Sequence, residues 1–457
     1  MNERMRGQYT EMDRQSDDLV FLARRAVRPL SVLVVGAGIG GLAIGLFILE
    51  KRKEITEVGG GIQLAPNATR ILRRFGVLDE VMKHATVLER NSLRRWKDGE
   101  ELGSVPLAPD VEEHFGAPLA VVHRADLQRV LLDAAIGRLR VRSYGMDIYM
   151  SADLVLAADG MNSIVRRQMA LASGHVDELV SAVQEVFCVL GARPDSFEDE
   201  KLILRCRGVS AYRFLLHREL IEHDEMAMNL LNKNQGMRFM GPGCHIMAYP
   251  LRKNTLYNVV LVRADKRDTS RETSWTTHGV KEEVLEQYRT WCPIVQALVN
   301  HIPLCGLLKT PMSNMPPLPT WARGQIALAG DACHYMFPYV AQGAANAIED
   351  AGTLAMAFTC TDQIELALDL YQIVRKDRSE RIQASATNTG KILHLPDGEE
   401  QRRRDESIRG ASRGKCANPD QWNDRQSREF MWRVDVMAET INRFESLAKE
   451  KGINGDA

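Results

Sequence analysis

A short run of apolar, β-branched residues leads directly into three closely spaced glycines, and this stretch constrains the fold most. The run is Val32–Val35, and the glycines are Gly36, Gly38 and Gly41. In a strand–turn–helix unit the first glycine allows the tight turn, the second lets backbone approach a pyrophosphate, and the third lets the helix pack on the sheet. The N-terminus of the helix offers N–H groups to the phosphates. The stretch predicts a dinucleotide-binding α/β unit; the alternative is a glycine-rich turn in another α/β protein.

An acidic residue is expected about 20 positions beyond the glycines, where it would bind the adenosine ribose. The segment 47–49 reads as a second strand, and Glu50 follows it, only 14 positions after Gly36. Either the crossover helix of this unit is very short, or Glu50 is an ordinary surface residue.

Composition narrows the class of protein. The chain has 457 residues, enough for two closely associated domains. Its 59 basic and 60 acidic residues balance, which argues against nucleic acid or an anionic membrane as the main partner. The eight cysteines form no C-x-x-C pair, which favours a reduced cytoplasmic protein without a structural metal. Residues 31–49 are too rich in glycine to predict a membrane span, and residues 1–28 have no apolar core of a secretory signal.

Two further motifs follow predicted strands. The strand over 152–158 ends at Asp159-Gly160, and Ser163 and Arg166 open the next helix. The strand over 325–329 ends at Gly330-Asp331 and is followed by a Pro338…Gln342-Gly343 loop and a helical pattern from 344 to about 390. In both motifs an acidic residue thus lies at the carboxyl end of a predicted strand.

Two other stretches carry weaker signals. Three glycines at 59–61 permit close backbone approach or a positive φ, and they lead through a loop to a helix that we predict to be capped by Asn67. Arg124 opens an amphipathic helix and is either a phosphate ligand or a solvated charge.

The middle of the chain is predicted to contain strands over 244–250 and 256–262 and an amphipathic helix over 281–299, and it holds candidate substrate residues. His245 and Tyr249 lie four apart on a strand predicted over 244–250, and even spacing puts both side chains on one face. Their Cα atoms would be about 13 Å apart, a gap that two long side chains can close around an aromatic ring. The alternative is a His and a Tyr satisfied inside a sheet. Arg213 could reach a substrate carboxylate or form a structural salt bridge.

The three motifs, in this order, resemble the class A flavoprotein aromatic hydroxylases, especially the salicylate and 6-hydroxynicotinate monooxygenases. The likeness covers roughly residues 30–390. It implies an α/β fold in which a Rossmann-like FAD-binding domain of the glutathione-reductase type is interleaved with a sheet-rich substrate domain and followed by a helical C-terminal region. The expected division is a disordered extension (1–29), the FAD-binding domain (30–170 and 319–395), the substrate-binding domain (171–318) and a polar helical tail (396–457). Within that tail, the very polar residues 397–415 predict a loop or a loose helix.

The resemblance also implies roles for the motif residues. Asp331 would contact the ribityl–pyrophosphate part of FAD, and Asp159-Gly160 would serve both FAD and the nicotinamide cofactor. The Gly343-Ala344 backbone would support the flavin ring and stabilise negative charge on it. The remaining cofactor-binding candidates are residues of the first dinucleotide unit and its flanking loops: Gly36, Gly38, Gly41, Glu50, Gly61 and Arg124.

The implied activity is hydroxylation of a phenolic or heteroaromatic acid, with FAD, O2 and NADH or NADPH, through a flavin hydroperoxide. In the related branch a His/Tyr pair binds and deprotonates a ring hydroxyl, which assigns that role to His245 and Tyr249; Arg213 and Tyr339 would face the substrate. A homodimer is left open. The alternatives are a catalytically impaired flavoprotein remnant, suggested by the short first unit, and an NAD-dependent dehydrogenase, which would have no use for the second and third motifs.

Overall fold

The computed structural model describes residues 30–45, 48–49, 60–136, 149–150, 152–171, 186–187, 206–264 and 277–450. The predictions for residues 1–29 and for Glu50 lie outside these ranges. Within them, none of the helices has the length and apolar character needed to cross a membrane.

The strands are numbered in chain order. Their bounds are β1 Val32–Val35, β2 Ile48–Leu49, β3 Gly61–Leu64, β4 Thr86–Val87, β5 Arg90–Arg95, β6 Glu101–Pro106, β7 Ala120–His123, β8 Tyr149–Met150, β9 Leu154–Ala157, β10 Val186–Phe187, β11 Cys206–His217, β12 Gln235–Gly241, β13 Cys244–Leu251, β14 Leu256–Ala264, β15 Thr277–His278, β16 Leu308–Ser313, β17 Ala322–Arg323 and β18 Ile326–Leu328.

The helices are numbered in the same way. Their bounds are α1 Ile39–Ile44, α2 Pro66–Arg74, α3 Leu78–His84, α4 Asp110–Phe115, α5 Arg124–Ile136, α6 Ile164–Leu171, α7 Arg218–Ile221, α8 Glu225–Leu231, α9 Lys281–Tyr288, α10 Pro293–Asn300, α11 Asp331–His334, α12 Gly343–Cys360, α13 Ile364–Leu393, α14 Glu399–Ala411, α15 Arg425–Trp432 and α16 Val436–Glu450; a 3-10 turn spans Pro338–Val340.

A five-stranded sheet carries the three sequence motifs. Its order is β17-β18-β9-β1-β2, parallel throughout except for the antiparallel edge pair β17–β18. In the described part of the crossover from β1 to β2 there is one helix, the six-residue α1, so the crossover helix is very short. Strands β1, β9 and β18 each end at one of the three motifs, and because they are parallel and adjacent, the motifs meet at one edge of the sheet.

An eight-stranded sheet forms the second layer, in the order β15-β16-β11-β14-β13-β12-β5-β6. It is antiparallel except where β12 pairs with β5. Strands β5 and β6 fall within 30–170, so that range contributes to both sheets, whereas the domain division itself stays a prediction. The strands predicted over 244–250 and 256–262 are confirmed as β13 and β14.

The two faces of the large sheet have different partners. Ile246 and Ala248 of β13 pack with helices α9 and α10, with Val284 and Val295 in the same cluster. The alternate position Tyr249 packs instead with Phe337 and other residues of the third motif's loop. The second face is therefore the one turned toward the predicted cofactor region.

Three local predictions need correction. The loop expected before residue 68 contains the strand β3, because residues 61–64 pair with β7. Asn67 does not cap α2: Ala65 does, with Pro66 in the first turn, and the Asn67 side chain bonds elsewhere. The helix expected over 281–299 is two helices, α9 and α10, since the second begins at Pro293.

The polar segment after residue 396 is packed, not loose. Helix α14 covers most of 397–415, where a loop or loose helix is expected from composition. Its Ile408 is fully buried, as are Trp422 and Trp432 further on, in the same core cluster as Tyr249. The C-terminal region is helical, as predicted, and closes over the second face of the large sheet.

Candidate functional site

The three motifs are in direct contact. A Cβ on Gly36 (φ +104°) would lie 2.4 Å from the carbonyl oxygen of Ala158, at the end of β9. A Cβ on Gly41 would lie 1.9 Å from the Gly36 oxygen, and one on Gly40 would touch Ala347 of α12 at 3.3 Å. These glycines are required because backbone and helix pack against them. Gly36 and Gly41 thus shape the turn itself.

Three other motif glycines face open space. A Cβ on Gly38, Gly160 or Gly343 would meet nothing within 4 Å. Gly38 is the N-cap of α1, Gly160 (φ +81°) follows Asp159, and Gly343 begins the 18-residue helix α12. All three leave room for backbone to approach a ligand, and Gly38 and Gly343 also lie at helix N-termini, where N–H groups can bind phosphate, as a dinucleotide cofactor requires.

Asp159 shapes the turn after β9 and leaves one oxygen free. Its Oδ2 accepts from the backbone N–H of Ile164 at 2.8 Å and of Val165 at 3.3 Å. Its Oδ1 is buried and has no hydrogen-bond partner among the described residues. A buried carboxylate oxygen without a donor is costly, so a ligand hydroxyl at this point would satisfy it.

Arg166 ties the second motif to the third. Its Nη1 donates to the carbonyl of Ala332 at 2.7 Å and its Nη2 to Met161, and the side chain is buried. Ser163 accepts the Arg166 N–H at 2.9 Å, which opens α6 as predicted. The motif's Ser and Arg therefore fix the turn and its neighbour.

Asp331 begins the short helix α11, and its carboxylate has no hydrogen bond with a described residue. Burial raises the pKa of this carboxyl, and the positive charges of His334 and Arg124 oppose the rise. Arg124 is exposed at the start of α5, and its N–H donates to Gly60. The Asp331 carboxylate and the Arg124 guanidinium therefore interact electrostatically at the sheet edge where the three motifs meet.

Buried ionic groups hold the third motif from behind. Asp350 accepts from the Gly330 N–H at 2.8 Å, from His334 Nε2 at 2.7 Å and from Arg375 Nε at 2.9 Å. Arg375 also bonds Glu349, which Arg378 contacts in turn. These bonds fix Gly330 and so the position of Asp331. His334 is buried and hydrogen-bonded within this support.

Asn67 belongs to the same support and was missed as such by sequence reasoning. Its Nδ2 donates to Gln342 Oε1 at 2.9 Å and to Glu349 Oε1 at 2.6 Å. Gln342 precedes Gly343, so Asn67 holds the entry to α12 and thereby the Gly343-Ala344 backbone. The nearby glycines at 59–61 indicate that this segment is special, but no local pattern indicates that Asn67 bonds Gln342, 275 residues away.

His245 and Tyr249 lie on the same face of β13, as predicted, and are 3% and 7% exposed. Burial lowers the pKa of His245 far below its ordinary value, with the His394 and Arg238 charges acting in the same direction. Burial raises the pKa of the Tyr249 phenol. At neutral pH His245 is therefore an unprotonated imidazole with a nitrogen able to accept a proton, and Tyr249 is a neutral phenol able to donate a hydrogen bond.

Tyr249 lies against the cofactor side of the site. A Cβ on Gly61 would lie 2.6 Å from the Tyr249 ring, and the Gly61 N–H donates to Asn258 Oδ1 at 2.9 Å. Gly61 therefore packs against the face of β13 that carries Tyr249, and its contact with a cofactor stays a prediction.

Arg213 lies on the same face, two strands from β13. The register pairs it with Val260 of β14, which pairs with Met247 between His245 and Tyr249. Its Nη1 donates to Thr310 at 3.3 Å, and it forms no ion pair with a described residue. Of the two readings of Arg213, the structural salt bridge is absent from the described residues. A largely desolvated guanidinium without an acid is a ready anchor for an anionic group.

Tyr339 and His394 both lie against the His245 ring. Tyr339 lies in the 3-10 turn, stacks on Phe337 at 5.2 Å and meets the His245 ring edge-on at 5.3 Å. His394 Nε2 lies 2.7 Å from His245 Nδ1, a contact that sequence reasoning missed. Tyr339 is thus placed beside His245, as the substrate assignment requires, and its contact with a substrate stays a prediction.

Comparisons with known proteins agree with this geometry. The model of a family described as "FAD binding domain" matches residues 29–386. An FAD-dependent monooxygenase, atnJ of Arthrinium sp., is 33% identical over 90% of this chain and 96% of its own. The 6-hydroxynicotinate 3-monooxygenase of Pseudomonas fluorescens is 29% identical over 77% of this chain and 89% of its own.

A solved structure shows the same fold. A salicylate hydroxylase substrate complex superposes with a TM-score of 0.67 at 22% identity, covering 91% of this chain and 98% of its own. The three motifs, the open glycines and the unpaired Asp159 oxygen fit a bound FAD. The chain belongs to the FAD-binding domain family, as an FAD-dependent monooxygenase of the class A flavoprotein aromatic hydroxylases.

Proposed function

We propose that this monooxygenase uses NADH or NADPH to hydroxylate a phenolic or heteroaromatic acid, and that His245 and Tyr249 activate the substrate hydroxyl. Bound FAD would supply the redox chemistry, taking electrons from the nicotinamide and activating O2 for transfer of a hydroxyl group to the ring. The observation that carries the proposal is the joint placement of His245, Tyr249 and Arg213 on the sheet face turned toward the three motifs.

The protein's own residues would divide the work as follows. Asp159, Asp331 and Arg124, with the open glycines, would hold the cofactor at the motif edge. Arg213 would bind the substrate carboxylate, because it is the desolvated cation on this face without an acidic partner among the described residues. The substrate ring would then lie along β13.

His245 is suited to accept the ring hydroxyl proton. Its Nδ1 is engaged with His394, and its Nε2 makes no hydrogen bond with a described residue. Ionising the hydroxyl makes the ring more electron-rich, which favours attack on an electrophilic oxygen donor. The Tyr249 phenol would donate a hydrogen bond to the resulting phenolate.

The proposal is tested by separating NAD(P)H oxidation from product formation. His245→Phe should keep bound FAD and measurable NAD(P)H oxidation but should lower hydroxylated product at least 10-fold, since general base catalysis contributes roughly 10²–10⁴. His217→Phe, an exposed histidine at the far end of β11, is the matched control and should behave as the wild type. Unchanged product formation in His245→Phe would exclude the base role. A protein that stays colourless with added FAD would contradict the cofactor assignment.

A further inference from the structure

His245 is connected to a second histidine that comes from a distant part of the chain. The Nδ1 of His245 lies 2.7 Å from the Nε2 of His394, and the ring centroids are 5.0 Å apart. His394 directly follows α13, beyond residues 29–386 that the family model matches. Its carbonyl accepts the Gly243 N–H at 3.1 Å, which fixes the end of α13 against the β12–β13 turn. The contact is thus built by the fold.

The two imidazoles differ in their access to solvent. His245 is buried at 3% exposure, whereas His394 is only partly buried. Tyr339 meets both rings edge-on, at 5.3 Å from His245 and 5.6 Å from His394, and closes the pair from the side. The arrangement leads from the buried face of β13 that carries His245 through two imidazole rings toward the surface.

We propose that His394 is a positioning residue for His245: it holds the His245 proton on Nδ1 and passes that proton toward solvent when Nε2 accepts one from the substrate hydroxyl. This inference rests on the proposed function, because it assumes that His245 is the base.

The proton balance closes without a further reactant. The substrate O–H bond breaks and an N–H bond forms at His245 Nε2, while the N–H bond at His245 Nδ1 breaks and one forms at His394 Nε2. The proton on His394 Nδ1 then leaves to water. The products are a phenolate, one hydronium ion and two neutral imidazoles, each of which now carries its proton on Nε2 instead of Nδ1. No group is oxidised or reduced.

The charges around the pair favour release of the proton over its storage. Among the described residues, Arg238 of β12 is a cation that acts on both rings, Asp420 is paired with Arg238, and the Tyr339 phenol lies beside both rings. Burial and the Arg238 charge lower the pKa of His394 to about 4 and lower that of His245 well below its ordinary value. An imidazolium at either position is therefore disfavoured, and a proton that enters the pair is passed on.

The test uses two variants of the FAD-loaded enzyme and a coloured probe, 4-hydroxy-3-nitrobenzoate, whose phenolate absorbs in the visible range. In His394→Gln the side-chain oxygen can still accept from His245 Nδ1 but cannot pass the proton on; in His394→Phe neither is possible. After a rapid pH jump, phenolate formation on the enzyme should be at least 10-fold slower in both variants than in the wild type. Free imidazole should restore part of the rate, and KM should change less in His394→Gln than in His394→Phe.

The outcomes separate this inference from the function on which it rests. If His245→Phe alters ionisation of the bound probe and both His394 variants ionise it at the wild-type rate, the inference is wrong and the base role stands. If His245→Phe binds the probe and leaves its ionisation unchanged, the base role in the proposed function fails. A ¹⁵N NMR spectrum of the histidine rings should show the Nδ1–H tautomer of His245 in the wild type and its loss in His394→Phe; the same tautomer in both would also overturn the inference.

Discussion

Arg238 of β12 and Asp420 of the C-terminal region form a buried ion pair, with Nη1 and Oδ2 2.6 Å apart and side chains 4% and 0% exposed. Arg238 Nη2 also donates to the Tyr339 carbonyl at 3.0 Å. One guanidinium therefore connects the large sheet, the C-terminal segment and the 3-10 turn beside His245. The C-terminal region therefore helps to hold the candidate site in position.

Breaking this pair should destabilise the protein strongly. In Arg238→Met the buried Asp420 charge loses its partner, and we expect the free energy of unfolding to fall by about 3–5 kcal/mol. Urea unfolding followed by circular dichroism measures the change. The double variant Arg238→Met/Asp420→Asn should recover part of it, because no unpaired charge is left and the side-chain oxygen of the introduced asparagine can still accept from the Trp422 N–H. Breaking the exposed pair Arg403–Glu399 is the control and should cost less than about 1 kcal/mol.

The motif glycines should separate into two classes when each is changed to alanine. Gly36→Ala places a Cβ against the Ala158 oxygen at a positive φ, and it should lower the free energy of unfolding by at least about 2 kcal/mol. Gly38→Ala meets no protein atom and has an allowed φ of −73°, so the apoprotein should keep its stability. Its affinity for FAD should fall at least about 10-fold, measured by fluorescence quenching of added FAD.

Gly76→Ala is the control for this pair. Gly76 also has a positive φ (+73°), with nothing within 4 Å of a Cβ, and it lies at the end of α2, away from the motifs. The variant should lose about 1–2 kcal/mol of stability and no FAD affinity. Equal FAD affinity in Gly38→Ala and Gly76→Ala would contradict the view that Gly38 is open because a cofactor approaches it.

What could be predicted from the sequence depends on short-range physics. The motif glycines are readable because a positive φ or a close approach admits no other residue, and His245 and Tyr249 share a face because strand side chains alternate. Each of these signals is contained in a few consecutive residues. Parallel strands that each end in a motif then bring the three motifs to one edge.

The remaining contacts have no local signal. His394 reaches His245 across 149 residues, and Asp420 reaches Arg238 across 182. Both contacts depend on where the end of α13 and the segment after α14 pack. The polar composition of 397–415 favours a loop, because a single apolar residue such as the buried Ile408 gives no sign of a packed helix. Asn67 misled for a related reason: a residue type that often caps helices here bonds distant side chains.

Stability should decrease in mild acid through the histidine pair. The ordinary His pKa is 6.5 and that of His394 in the fold is about 4, so between these values the unfolded chain binds a proton that the folded chain does not. The free energy of unfolding therefore falls as pH drops from about 6.5 to about 4, and this contribution is constant below pH 4. Urea unfolding at pH 7.5 and 5 should show a smaller difference in His394→Gln than in the wild type, whereas His223→Gln, on a 92% exposed side chain, should keep the wild-type difference.

Arg213 should determine selectivity for acidic substrates. Replacing it with Met removes a desolvated cation that has no acidic partner among the described residues, so the stability should not decrease. A hydrogen bond to a charged group contributes about 1.5–3 kcal/mol, so kcat/KM for a hydroxybenzoate that the wild type accepts should fall about 10- to 100-fold, mainly through KM. For the corresponding phenol without a carboxylate, kcat/KM should be unchanged, because it offers nothing to the guanidinium. Equal losses for the acid and the phenol would mean that Arg213 shapes the pocket wall and does not bind the carboxylate.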